Sequence, residues 1–179
     1  NVKAGRQQVV LDGHRLFGHT GWTDGGNSMD ALRLDHSAGN HTVNYIYIAG
    51  KENEANNALD DANVNFHVLR ANTQGVMGGD LTGYFVIADD DTAAATFDDS
   101  NTWYTIGARQ KGKMGGLDYR VEYYHQFGDA GSIATDCACG ITGANDTGGS
   151  VDRDAHMFGA RIGKTFKNAA WSPTVTLWY

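Results

Sequence analysis

Hydrophobic and polar residues alternate with period two along most of this chain, and the alternation predicts strands rather than helices. LDYRVEYYHQF at 117–127 is the clearest case. Leu117, Tyr119, Val121, Tyr123 and Phe127 share one face, while Asp118, Arg120, Glu122, Tyr124 and Gln126 share the other. WYTIGARQ at 103–110 sets Tyr104, Ile106 and Ala108 against Thr105, Gly107 and Arg109. HMFGARIGK at 156–164 sets Phe158, Ala160 and Ile162 against Gly159, Arg161 and Gly163. SMDALRLDH at 28–36 sets Leu32 and Leu34 against Arg33 and Asp35, and TVTLWY at 174–179 sets Val175, Leu177 and Tyr179 against Thr174, Thr176 and Trp178. Weaker strands fall at 2–10, 42–49, 64–71 and 81–88. There the alternation leaves the face of Arg6, His67 and Arg70 open.

The nine strands are joined by two kinds of connection that take turns. SAGNH, TQGVMGG, KGKMGG and KNAAWS are short; 11–27, 50–62, 89–101 and 128–154 are long. Short turns at one rim and long loops at the other characterise an up-and-down transmembrane β-barrel. Most strands run to about the 9–11 residues that a tilted membrane strand needs. Trp103, Tyr104, Tyr123, Phe127, Trp171, Trp178 and Tyr179 lie near strand ends, where aromatic girdles are expected. The alternative is a soluble, carbohydrate-binding β-sandwich with one solvated face per sheet.

Composition supports the all-β reading, with 24 glycines, a single proline and no helical heptads. No apolar run approaches the roughly 20 residues of a membrane helix. The net charge of −7 argues against nucleic acid as a partner. That charge is unevenly placed: the last three long loops sum to −12, which leaves +5 on the strands and short turns. Cys137 and Cys139 form a CAC pair too tight for zinc or redox spacing and read as incidental loop residues. His14 and His19 with Asp12 or Asp24 lack a third ligand at fixed spacing. Asp89–Asp91 with Asp98 and Asp99 lacks the order of a calcium loop. No nucleophile motif is present, and Ser28 or Ser37 with His36 or His41 has no local support. The sequence therefore predicts no enzyme, no cofactor and no metal site.

The segment around the first two strands carries a resemblance. GRQ at 5–7, GHRLFG at 13–18, GW at 21–22 and SMDALRL at 28–34 resemble the signature of the alginate-export family of outer-membrane proteins. That pattern runs roughly Gly-Arg-Gln, a glycine shortly before Arg-Phe-x-Gly, a Trp, then Phe-Asp-x-x-Arg-Leu. This chain inserts Leu16 before Phe17 and has Met29 where an aromatic is usual. The motif covers about 30 residues, and the rest matches only in strand rhythm.

The resemblance implies an eighteen-stranded outer-membrane barrel whose lumen conducts an anionic polyuronate past arginines and lysines. Arginine suits such a path because its planar fork pairs with carboxylates and stays charged. Arg6, Arg15 and Arg33 are carried over from the motif. Arg109, Arg120 and Arg161 are added by strand parity. Each could instead pair structurally with a lumenal acid such as Asp30, Asp35, Asp118 or Glu122. The glycine-rich loop holding Arg15 could fold inward or cap the rim. Nine is half of eighteen, so residues 1–179 are expected to be an internal fragment of one barrel domain without an internal boundary. The expected partners are anionic polysaccharide or small anions and outer-membrane lipid. The alternative function is a general or anion-selective porin for small solutes.

Overall fold

In the computed structural model, residues 1–18, 28–50, 64–90, 101–130, 151–169 and 171–179 are described. Nine strands form one sheet: β1 (Val2–Gln7), β2 (Met29–Ala38), β3 (His41–Ala49), β4 (Val64–Val76), β5 (Gly79–Asp90), β6 (Asn101–Met114), β7 (Leu117–Ala130), β8 (Val151–Thr165) and β9 (Thr174–Trp178). They lie in sequence order, every neighbour antiparallel. A single sheet of consecutive strands is not a Greek-key sandwich, which would need two sheets and strands out of order. The up-and-down pattern is the one that the alternating connections predict.

Several strands outrun their sequence-predicted limits because glycine-rich runs lie inside the ladder. TQGVMGG contributes Gly75, whose φ of +86° accompanies the register shift between Gln74 and Val76. This is a bulge, and only glycine enters it at no steric cost. The turn itself is just Met77 and Gly78, both with positive φ, and the next is Gly115 and Gly116, also both positive. Paired positive φ values match the right-handed twist of the flanking strands, which lets β6 and β7 each reach 14 residues.

The first strand departs in the other direction. The expected 2–10 strand ends at Gln7, whose side-chain amide donates to the Ala31 carbonyl at 2.8 Å. Residues 8–18 then leave the ladder and lie across one face of the sheet. Val9, Leu11 and Phe17 are buried there against Ala31, Ile46, Ile48, Val68 and Val86. The Phe17 and Phe66 rings meet edge-on at 5.8 Å. Ile46, Ile48 and Val68 are among the most buried side chains on the described residues, so the segment is what removes this apolar patch from solvent.

The two faces differ sharply. The covered face carries Asn44, Arg70, Thr82, Tyr84, Arg109, Glu122 and Tyr124 beside that patch. The opposite face exposes Leu32, Leu34, Leu69, Phe85, Ile106, Val121, Phe158, Ile162 and Leu177. A broad apolar surface on that face fits lipid contact rather than water. No described helix is long and apolar enough to cross a membrane, which says nothing about strands.

Candidate functional site: an arginine row on the covered face

Strand register sets the polar side chains of the covered face in a continuous row from β2 to β9. Asp35, Asn44, Arg70 and Tyr84 are successive cross-strand partners on β2, β3, β4 and β5. One level along, Arg109 on β6 pairs with Glu122 on β7, and Glu122 with Gly159 on β8. Arg120 pairs with Arg161, and Arg161 with Trp178. Alternation alone puts these residues on one face; pairing puts them side by side.

The row is tied together by hydrogen bonds and charge. Arg33 Nε donates to Asp35 Oδ1 at 2.8 Å, and Asn44 donates to the same oxygen at 2.6 Å. Arg70 Nη1 donates to Asn44 Oδ1 at 2.9 Å, while its Nε and Nη2 grip Asp12 at 2.6 and 2.8 Å. Tyr84 donates its hydroxyl to Asp12 as well. Arg109 stands 3.5 Å from Asp12 and 3.8 Å from Glu122. Arg15 Nε donates to Glu122 Oε1 at 3.0 Å, and Arg120 lies 3.6 Å from that oxygen. Thus Asp12 and Arg15, both from the covering segment, clamp it to β4–β7. Burial raises Asp12, but the hydrogen bonds from Arg70 and Tyr84 and the charges of Arg70 and Arg109 outweigh it and hold the carboxyl below the usual range.

Glu122 is fully buried, yet three guanidiniums share it through one hydrogen bond and longer contacts. Its Oε2 and the Arg161 Nε are buried without a hydrogen-bond partner. The arginine excess is held by other means. Arg120 and Arg161 lie over the Trp178 ring at 4.9 and 5.3 Å, and Arg153 over Trp103 at 4.4 Å. Trp103 and Trp178 therefore serve the covered face and are not girdle residues. Gly159 makes room for Glu122: a Cβ there would meet its side chain at 3.1 Å. A cavity of about 10 Å³, the scale of one water, remains between Asp12, Arg15, Tyr84, Arg109 and Glu122.

Of the six arginines marked in the sequence, Arg15, Arg33, Arg109, Arg120 and Arg161 join this row. Arg6 does not. It pairs with Asp30 on the opposite face, at 3.0 Å and with both side chains exposed, because Gly5 and Gln7 are the residues of β1 that share a face with Ala31. Arg70 belongs in its place. The alternation of Phe66, Val68 and Arg70 against His67 and Leu69 mixes apolar and polar residues on both sides, so sequence alone does not separate them. Asp12 was visible only as a candidate metal ligand. Its role follows from a fold-back that no local signal encodes. His19, Asp24, Asp91, Asp98, Asp99, Cys137 and Cys139 lie outside the described residues.

Comparison with known proteins bears on the whole chain. The profile of the alginate export family matches residues 1–179. No curated protein and no solved structure matches significantly. The chain belongs to the alginate-export family, outer-membrane β-barrel proteins that form transport channels for polysaccharide.

Proposed function

We propose that this chain forms part of a single barrel domain in the outer membrane of a Gram-negative cell and is a channel, not an enzyme. It passes or exports anionic saccharides such as alginate-like polyuronates through a lumen formed by the covered face. The observation that carries this reading is charge. Along the row, Arg15, Arg33, Arg70, Arg109, Arg120 and Arg161 face Asp12, Asp35 and Glu122. That is an excess of three positive charges in a shared strip. A polyanion needs such a surplus, because fully paired arginines would offer it nothing. It also needs sites weak enough to leave, and the long 3.6 Å contact of the less buried Arg120 is one a passing carboxylate can replace.

The zero-current potential of the protein in a planar bilayer under a salt gradient tests the proposal. Anion selectivity that oligouronate blocks, and that falls in Arg120→Ala and Arg161→Ala, is expected. Anion selectivity without oligouronate block would reduce the reading to a porin for small anions. Cation selectivity would overturn the arginine-lined path.

A further inference from the structure

On the face opposite the arginine row, three side chains that the channel reading does not use converge. His125 on β7 and His156 on β8 are direct cross-strand partners, and Asp154 is two residues from His156 on the same face. The imidazole rings stack at 4.3 Å with 10° between planes. Both Nε2 atoms point at one oxygen, Asp154 Oδ1, at 3.0 Å from His125 and 3.2 Å from His156. One ligand atom from each residue lies within 4.8 Å of the others. We propose that His125, Asp154 and His156 bind a divalent transition-metal ion of the zinc class.

The spacing fits such an ion. Tetrahedral zinc bonds nitrogen and carboxylate oxygen at about 2.0–2.2 Å, which sets ligand atoms roughly 3.3–3.5 Å apart. The two nitrogen–oxygen separations are already within a few tenths of an ångström of that. The second nitrogen of His156 is also in use: Nδ1 sits 2.7 Å from the Tyr123 hydroxyl. An Nδ1–H donating there fixes the tautomer and leaves the Nε2 lone pair for a metal, the usual outer support of a ligating histidine. Two imidazoles and one carboxylate favour zinc, copper or nickel over calcium and magnesium, which prefer oxygen ligands. Three protein ligands leave a fourth position for water. Simple pairing explains less. Asp154 is 72% exposed, where hydrogen bonds to one or both histidines contribute little. A bound ion would tie β7 to β8 five residues from where each meets the connection between them.

The test is metal titration of the refolded, untagged protein in detergent, with Cys137→Ser and Cys139→Ser in place to remove thiol ligands. Isothermal titration with zinc should show one site. Cobalt(II) should give the intense visible bands of tetrahedral coordination. His125→Ala and His156→Ala should each abolish both signals, and Tyr123→Phe should weaken zinc binding about 10-fold without abolishing it. His36→Ala and His41→Ala, on other strands, should change nothing. Absence of zinc binding at micromolar concentration in the parent protein would overturn the proposal. So would binding that survives His125→Ala and His156→Ala, since the ion would then sit elsewhere. Heat-modified mobility on gels checks that each variant has folded, and the parent measurement stands whatever the variants do.

Discussion

Asp12→Asn is the sharpest probe of how the covering segment is held. The substitution keeps the side-chain volume and one acceptor oxygen but removes the charge. Arg70 then loses half of a two-pronged grip made at 2.6 and 2.8 Å, and Arg109 loses a carboxylate at 3.5 Å. Breaking a buried pair costs about 3–5 kcal/mol, but the Asp12 side chain is 13% exposed and Arg70 keeps Asn44, so about 2–3 kcal/mol is the reasonable figure. That is roughly a 30- to 150-fold rise in the undocked population of residues 8–18. Native-state hydrogen exchange reads it directly. The Leu11, Gly13 and His14 amides donate within the segment at 3.1, 2.8 and 3.0 Å and should lose protection by that factor, while β3–β7 amides keep theirs. The excess along the row rises from three positive charges to four, so on the proposed channel reading anion selectivity should rise with it. Unchanged exchange across residues 8–18 would refute the clamp. Equal loss across the sheet would refute its being local.

Other outcomes follow from the same geometry. Asp12 is held below its unfolded value near 3.9, so its contribution to docking is complete above about pH 5 and is lost as pH falls through the lower, folded value. Peptide cleavage by an acid protease between residues 8 and 18 should therefore appear only below about pH 4. Phe17→Ala removes the ring that meets Phe66 edge-on and should cost about 3–5 kcal/mol of segment docking, read as a larger single-channel conductance. Gly107→Ala would bring a Cβ to 2.1 Å from the Tyr124 ring and should destabilise the fold by about 1–3 kcal/mol, read as a lower urea unfolding midpoint. The double variant Gly107→Ala, Tyr124→Leu should recover part of that loss.

The sequence by itself determined the element type, the number of strands and, for five of them, which residues share a face. Side-chain direction in a strand has period two, so LDYRVEYYHQF states its own faces. It also carried the family signature, and with it Arg15 and Arg33. Local pattern reached less far where both faces mix apolar and polar residues, as along Phe66, Val68 and Arg70 against His67 and Leu69, and Arg70 was lost there. It misread glycine-rich runs as loops, because a bulge at Gly75 and a two-residue turn at Gly115–Gly116 look alike in composition.

Only the tertiary structure decided the site. Asp12 and Glu122 are 110 residues apart in sequence, and Arg109 reaches both because residues 8–18 fold back over β4–β7. That fold-back is driven by Ile46, Ile48 and Val68, which face inward and cannot remain wet. The same reasoning explains Arg6: an arginine in the signature is set outward by one residue of register in β1. Register and long-range burial are properties of pairs of segments, and no single stretch of sequence contains them.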